Sequence, residues 1–165
     1  MTKKKQIFIL VLTVLIFFTT VTVVMLYLRK NIGKIETKEN ISDLSQLPSW
    51  VNVPDSAKNI SYCKIFWLYS GYEFDIPEDE FLKWAQKWPI QKITEPETFV
   101  SYLRYTLPQP DRNDPNKFQE YESKAYVLIH NGYYFHKESE NQNGGGTYVA
   151  YDKDKQRAYY SFSFR

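Results

Sequence analysis

Hydrophobic and polar residues are distributed very unevenly along this chain, and its longest apolar run lies near the N-terminus. The run extends from Ile7 to Leu28 without a charged side chain, between basic residues on both sides. A helix of this length covers about 33 Å, close to the hydrocarbon thickness of about 30 Å in a typical bilayer. The pattern predicts a transmembrane helix, and we assign residues 1–30 to an anchor with basic flanks that partners the lipid bilayer through Ile7 to Leu28.

A cleaved secretory signal is the main alternative interpretation of this run. Such signals have an apolar region of about 7 to 15 residues, followed by a cleavage site with small residues. The observed run is longer, and residues 1–32 contain no Ala, Gly or Ser. We therefore predict an uncleaved signal-anchor. A lipoprotein anchor does not fit either, because the single cysteine, Cys63, lies far beyond the run.

The orientation of the anchor is less obvious, because basic residues nearly balance across it. Lys3, Lys4 and Lys5 precede the run, while Arg29 and Lys30 follow it. Long domains cross the membrane largely regardless of their charge, and only six residues precede the run. We expect a single-pass protein of the cell membrane, with its N-terminus in the cytoplasm and its C-terminal domain outside.

Beyond the anchor, the polar residues 31–46 predict a linker, and residues 47–165 predict one folded domain. The clearest helix extends from Pro77 to Trp88, where apolar residues recur at helical spacing and form one stripe. Pro77 suits the start of a helix and Pro89 ends it. The stripe consists of Phe81, Trp84, Ala85 and Trp88.

Alternating apolar and polar residues predict strands in the rest of the domain. Residues 59–69 and 72–76 fit strands, residues 94–106 fit either a helix or a strand with strand favoured, and residues 107–117 fit a surface loop. Asn131-Gly132 is a strong hairpin signal, which would join strands 124–130 and 133–138. Two further strands are predicted at 147–151 and 157–164, joined by a turn at 152–156.

These elements predict an α+β domain, with an antiparallel sheet that ends in a meander and is packed by one main helix. A single cysteine excludes a disulfide framework, so a hydrophobic core must hold the domain together. We expect that core to include Trp67, Phe81, Trp84, Leu128 and Phe162.

The charge distribution narrows the choice of partners. From Leu47 onward the chain has 14 basic and 16 acidic residues, so its slight overall excess of positive charge comes from the anchor region. A nucleic-acid-binding domain needs a clustered basic surface, which this domain lacks. The basic residues near the apolar run suit anionic lipid head groups instead.

Candidate catalytic residues are few, and each has a simpler explanation. The predicted hairpin would place His130 and His136 on opposite faces, so they cannot share a metal ion. Cys63 lies among apolar residues, which suits a buried thiol. Gly144 to Gly146 precede a strand and therefore lack the context of a phosphate-binding loop. Asp152 and Asp154 lack the remainder of a calcium-binding loop.

An acidic cluster is the other candidate for catalysis, because neighbouring carboxylates can act as a general acid and a general base. Capping of the predicted helix and solubility account for the same residues without catalysis. We therefore assign no catalytic, cofactor-binding or metal-binding residue from the sequence. The cluster consists of Glu73, Asp75, Glu78, Asp79 and Glu80.

The last two strands suggest a partner-binding surface. If Tyr151 lies opposite Arg157, then Ala150 and Ala158 share the face that the helix covers, together with Tyr148, Tyr160, Phe162 and Phe164. The reverse face would carry Tyr151, Arg157 and Tyr159, which are residue types enriched at interface hot spots. A solvated sheet face is the simpler alternative.

Two functions are compatible with these features. The first is a non-enzymatic binding or accessory module, of a sensory or toxin-neutralising kind, that presents an aromatic sheet face to a protein or ligand. The second is a membrane-anchored hydrolase that uses the acidic cluster or one histidine. The absence of catalytic motifs from the sequence favours the binding module.

The anchor interpretation leads to a direct test. Protease added to intact cells or spheroplasts should remove the C-terminal domain, because that domain is expected outside the membrane. Sequencing of the mature N-terminus should begin at the start of the chain. A mature terminus between residues 20 and 40 would show a cleaved signal, and complete protection from protease would reverse the topology.

Overall fold

The computed structural model describes residues 3–110, 113–139 and 145–164, and the chain divides into two compact units, Met1–Lys34 and Ile35–Arg165. The first unit is a single helix, α1 (Lys3–Asn31). From Ile9 to Asn31, this helix is long and apolar enough to cross a membrane. The large apolar side chains of this helix from Ile9 to Tyr27 are exposed.

The second unit begins earlier in the sequence than we predicted. Strand β1 (Ile35–Ile41) and a short 3-10 helix (Leu44–Gln46) lie within residues 31–46, so the prediction of a linker over this range is wrong. β1 is an edge strand, and all its residues except Ile41 are exposed. Backbone hydrogen bonds pair β1 with β2. These bonds do not depend on side chains, so the polar sequence of β1 does not reveal the strand.

The main sheet has seven antiparallel strands in the order β1-β2-β3-β9-β8-β7-β4. The predicted α+β class is confirmed. The remaining strands of this sheet are β2 (Lys58–Ile65), β3 (Tyr69–Asp75), β4 (Gln91–Lys92), β7 (Gly132–Glu138), β8 (Gly146–Asp152) and β9 (Arg157–Ser163).

Helix α2 (Glu78–Trp84) covers one face of this sheet and continues as a 3-10 turn (Ala85–Lys87). The helix predicted at this position is confirmed. Phe81 is completely buried and stacks on Tyr151, with 4.5 Å between the ring centroids. The Tyr151 hydroxyl donates a hydrogen bond to the carbonyl of Ile76 just before the helix (2.9 Å), so its one polar atom is satisfied in the core.

A smaller layer covers the opposite face. It contains a two-stranded sheet of β5 (Glu97–Val100) and β6 (Tyr126–Ile129), with helix α3 (Pro115–Ala125) between these strands in the chain. Phe99 and Ile129 of this layer pack against Ala150 and Tyr159 of the main sheet. Residues 94–106 therefore form a strand only at Glu97–Val100.

The predicted hairpin at Asn131-Gly132 is wrong, because β6 pairs with β5 and β7 pairs with β8 and β4. The chain instead crosses here from one sheet to the other. A side chain at position 132 would overlap the carbonyl oxygen of Tyr151, so glycine is required by a close backbone approach. The Asn131 amide donates to Asp154 (3.0 Å) and ties this crossing to the β8–β9 turn.

Helix α3 was missed in the sequence, where we predicted a loop to residue 117 and a strand from Lys124. Asp114 caps this helix and accepts hydrogen bonds from the backbone of Asn116 and Lys117. Pro115 occupies its first turn. Asp-Pro is a known helix-start signal, but it stands here within a stretch of turn-forming residues.

The predicted core is correct only in part. Phe81 is buried, and Trp84 and Phe162 are half-buried, whereas Trp67 is 67% exposed and Leu128 is 48% exposed. Trp67 is exposed because β2 ends at Ile65 and leaves it in the following turn. Leu128 lies on the outer face of the two-stranded sheet, opposite its buried neighbour Ile129.

Phe81 provides a test of the packing between α2 and the sheet. Replacing Phe81 by Ala should lower the free energy of unfolding by about 3–5 kcal/mol, because it leaves a cavity beside Tyr151. Leu128→Ala is the matched control and should cost less than about 1 kcal/mol, because its side chain is largely exposed. Denaturant unfolding of both variants measures the difference, and equal losses would contradict this packing.

Candidate binding site

A small pocket lies on the face of the main sheet that carries α2. It encloses about 230 Å³, which is less than the range of about 300–1,000 Å³ typical of sites for drug-sized ligands. The pocket therefore suits one ring rather than an extended molecule. Four aromatic, two basic and two neutral polar residues line it: Trp50, Tyr72, Trp88, Tyr160, Lys64, Lys87, Asn52 and Ser70.

Three neighbouring strands, β2, β3 and β9, form the floor of the pocket. Tyr72 of β3 lies directly opposite Tyr160 of β9, and their rings stack with 4.7 Å between centroids. Such cross-strand aromatic pairs are favourable contacts between adjacent strands. Lys64 of β2 lies opposite Ser70 of β3, one pleat further along the same face. The sheet register thus sets the spacing of aromatic and basic groups.

Two tryptophans come to the pocket from outside the sheet. Trp88 follows the 3-10 turn after α2, and its ring lies 5.9 Å from that of Tyr160. Trp50 lies in the irregular segment before β2, where the Val51 N–H donates to the Pro48 carbonyl (2.9 Å) and closes a turn. The Trp50 ring lies 6.4 Å from that of Tyr72.

The two lysines give the pocket a positive charge. The Lys87 ammonium lies 4.1 Å from the centre of the Trp88 ring, and that of Lys64 lies 5.3 Å from Trp50. Both are cation–π distances. Within the part of the chain that the structure describes, neither lysine forms an ion pair with a carboxylate. The pocket therefore favours an anionic group.

The neutral polar groups at the pocket are largely occupied by internal contacts. The Tyr72 hydroxyl and the Trp84 indole both donate to the Asn52 carbonyl, each at 3.1 Å. Burial raises the pKa of Tyr72, so its hydroxyl stays neutral near neutral pH. The Trp50 indole nitrogen is buried and has no hydrogen-bond partner among the described residues. An unpaired buried donor costs free energy.

The predicted partner-binding residues do not share a face. In the structure, Tyr151 pairs with Ala158 and Asp152 pairs with Arg157, one residue away from the predicted register. Tyr151 is completely buried beneath α2, and Tyr159 is 6% exposed beneath the smaller sheet. The predicted surface is therefore wrong as a single exposed face. The faces predicted for β9 itself are correct, since Ala158 and Tyr160 pack on the side of α2.

The side chain of Asp152 accounts for this register. Its carboxylate accepts hydrogen bonds from the backbone N–H groups of Asp154 (3.0 Å) and Lys155 (3.2 Å). These bonds close the turn after Asp152, and Gln156 adopts a left-handed conformation with φ 51°. Asp152 is therefore the last residue of β8, whereas the sequence predicted that it lies in the turn. A shift of one residue exchanges the two faces of β8.

Arg157 is occupied by an internal ion-pair network. Its guanidinium lies 2.9 Å from a Glu73 oxygen, also contacts Asp75, and donates to the carbonyl of Asn59 (3.4 Å). Burial raises the pKa of Glu73, and the charge of Arg157 opposes that rise. Arg157 and Glu73 are only 18% and 13% exposed, so each neutralises a charge that would otherwise be buried alone.

The predicted acidic cluster is divided among separate contacts. Glu73 and Asp75 bind Arg157 on the face opposite α2. At α2 the remaining three carboxylates each have another partner: Glu78 binds Lys153 (2.8 Å) and Tyr133 (2.7 Å), Asp79 binds Lys83 (3.5 Å), and Glu80 accepts from Ser56.

The remaining candidates are also separate from the pocket. His136 stacks on Tyr148, with 4.0 Å between the ring centroids, and His130 is exposed at the end of β6. Cys63 is completely buried, and burial raises its pKa to about 11, so the thiol is protonated at neutral pH. No cluster of three His, Cys, Asp or Glu side chains suited to a metal ion occurs in the described ranges.

The pocket was not predicted from the sequence, although Trp88 and Tyr160 were both assigned to the contact between the helix and the sheet. Trp88 belongs to the apolar stripe of the predicted helix, and a tryptophan between two prolines at position 50 is a visible irregularity. What the sequence does not show is that Lys64, Tyr72 and Tyr160 lie beside them, since this depends on strand order. Comparisons with protein-family models, with curated proteins and with solved structures give no match.

The network at Arg157 predicts a pH-dependent stability. Replacing Arg157 by Met should cost about 3–5 kcal/mol near neutral pH, because the Glu73 carboxylate is left buried without its partner. Glu73 already has a folded-state pKa above its ordinary value of 4.5, and loss of the arginine raises that pKa further. The protonated carboxyl then folds at lower cost, so the deficit should shrink as the pH falls toward 4.5.

Urea unfolding of the wild type and the variant at about pH 4 and about pH 7 measures this deficit. Lys124→Met is the control, because Lys124 and Glu120 form an exposed ion pair that contributes little to stability. A deficit for Arg157→Met that does not change with pH would show that Glu73 is not the group left unpaired.

Proposed function

We propose that this chain is a membrane-anchored binding protein that acts without catalysis. Helix α1 anchors it in the cell membrane as an uncleaved signal-anchor, and the domain from Ile35 onward lies outside the cell. Support for the anchor comes from the length and apolar character of Ile9–Asn31. Support for binding comes from the pocket, because its described lining has two cations and four aromatic rings but no carboxylate or histidine.

We propose further that the pocket binds one ring that carries an acidic group. The rings of Trp50, Trp88 and Tyr160 offer flat apolar surfaces against which a ring can lie. The ammonium groups of Lys64 and Lys87 lack an acidic partner among the described residues and can pair with a carboxylate or phosphate on that ring. An acidic sugar or an aromatic acid has this combination of features.

The two lysines beside the tryptophan rings are the single observation that best supports a ligand in the pocket. The Lys87 ammonium lies 4.1 Å from the centre of the Trp88 ring, and the Lys64 ammonium lies 5.3 Å from that of Trp50. Neither ammonium pairs with a carboxylate of the described residues. An acidic group on a bound ring can supply that partner.

We also propose a protein partner that meets the domain at this pocket. A face formed by Tyr151, Arg157 and Tyr159 does not suit a partner, because the two tyrosines are buried on opposite faces of the sheet and the arginine is held by internal ion pairs. A partner that presents an acidic ring, for example on an attached glycan, would meet the same pocket residues.

A matched pair of probes tests this proposal. Glucuronate and glucose share a pyranose ring and differ at C6, which bears a carboxylate in the former, and phenyl phosphate presents a phosphate on an aromatic ring. We expect an acidic probe to change the tryptophan fluorescence of the full-length chain in detergent, with glucose weaker by about tenfold or more, since one charge-assisted contact is worth about 1.5–3 kcal/mol.

Variants of the pocket identify the residues responsible. Lys87→Gln and Trp88→Ala should each weaken binding of the acidic probe, because they remove a charge and a stacking surface. Lys83→Gln is the control, since Lys83 lies on α2 outside the pocket and its side chain is 71% exposed. Equal binding of glucose and glucuronate would contradict the role of the lysines, and the absence of binding by both acidic probes would contradict this ligand class.

A further inference from the structure

We propose that an apolar tip at one end of the main sheet inserts into the head-group region of the membrane that holds α1. This inference concerns a different surface from the pocket, and it rests on the membrane anchoring proposed above. The tip consists of the turn between β2 and β3, the start of β1 and the residue after β9: Ile35, Phe66, Trp67, Leu68 and Phe164.

Neighbouring strands bring these side chains together at the same end of the sheet. Ile35 pairs with Ile65 at the last position of β2, next to the turn. The Phe164 N–H donates to the Leu68 carbonyl (3.2 Å), which joins the end of β9 to the same turn. The rings of Phe66 and Trp67 lie 5.7 Å apart.

Four of the five tip residues are exposed to an unusual degree for apolar side chains, and Phe66 is half-buried. Trp67 is 67% exposed, Phe164 63%, Ile35 48% and Leu68 42%. Single exposed apolar residues need no explanation, but a contiguous group of large ones marks a surface that another phase or molecule covers.

The backbone at Trp67 supports a role for its side chain. Trp67 has φ 65°, a left-handed conformation in which glycine or asparagine is favoured and a bulky residue is strained. The Leu68 N–H donates to the Ile65 carbonyl (3.0 Å) and closes this tight turn. The turn therefore holds a large amphipathic ring outward at a position where a smaller residue would cost less.

The length of the connection to α1 identifies the lipid surface as the partner. Asn31 ends the helix and Ile35 begins β1, and four peptide steps span no more than about 14 Å. This limit holds for any orientation of the domain. When α1 spans the bilayer, the end of the sheet that carries Ile35 therefore stays near its surface.

The chemistry of the tip fits the same partner. Tryptophan is enriched at the membrane–water interface, where its ring is apolar and its N–H is hydrated. Lys34 directly precedes Ile35 in the sequence, and Arg29 and Lys30 lie in the last turn of α1, so the connection between the span and β1 is basic. Basic residues next to a span attract anionic head groups. A protein partner would not require this combination beside the anchor.

Fluorescence quenching by lipids tests the proposal in the full-length chain. The protein is reconstituted into phosphatidylcholine–phosphatidylglycerol vesicles with brominated acyl chains, and its tryptophan emission is compared with that in unbrominated vesicles. We expect the wild type to be quenched. Trp67→Phe keeps the tip apolar but removes its fluorophore, and this variant should lose most of the quenching.

Trp84→Phe is the matched control, because Trp84 lies at the end of α2, packs against Phe74 and Phe81, and should contribute little to quenching by lipid. Trp67→Phe should melt at the temperature of the wild type, since its side chain is exposed. Equal quenching of the wild type and Trp67→Phe, or no quenching of either, would overturn the proposal.

Flotation of the same vesicles separates this inference from the anchoring on which it rests. A chain that does not float with the vesicles overturns both proposals. A chain that floats but shows no quenching of Trp67 overturns only the tip. Shielding of Trp67 from aqueous iodide that increases with the protein-to-lipid ratio, without quenching by lipid bromine, would assign the tip to a second copy of the chain and overturn insertion.

Discussion

The strand register that places Asp152 opposite Arg157 is the constraint on which the arrangement of this domain depends. The Asp152 carboxylate closes the turn by accepting two backbone N–H groups, and this sets the register of β8 against β9. Tyr151 then lies beneath α2 and stacks on Phe81, while Arg157 meets Glu73 and Asp75 on the other side. A register one residue away would bury the wrong face of β8.

The main sheet is covered on both faces, and this explains the many aromatic residues of the domain. On one side, Phe81 of α2 packs against Phe74 and Tyr151 of the sheet. On the other side, Tyr159 of the sheet packs against Phe99 of the smaller layer. Large rings fill both layers without a disulfide, and buried tyrosines need an acceptor for their hydroxyls. Where the cover by α2 ends, Trp88 and Tyr160 remain accessible beside Lys64 and Lys87, and the proposed binding site lies there.

The elements that were predicted correctly have a local signal in the sequence. The apolar run of α1 and the stripe of α2 both follow from spacing within one segment, and both helices occur at the predicted positions. The elements that were predicted wrongly depend on long-range pairing. Asn131-Gly132 has the residues of a tight hairpin, yet β6 pairs with β5, because burial of Ile129 beneath the main sheet outweighs the local turn preference. The edge strand β1 was missed because its side chains are mostly polar and exposed, and the backbone pairing with β2 gives no hydrophobic pattern in the sequence.

By itself, the sequence determined that an apolar helix precedes an aromatic α+β domain, since composition and periodicity depend only on neighbouring residues. The sequence also shows each residue type of the pocket, but it does not show that these residues lie close together. Tertiary structure decided that Lys64, Tyr72 and Tyr160 lie side by side, because strand order brings β2, β3 and β9 together from distant parts of the chain. It also decided that Tyr151, Arg157 and Tyr159 serve the interior, because a single residue of register determines which face of a strand is buried.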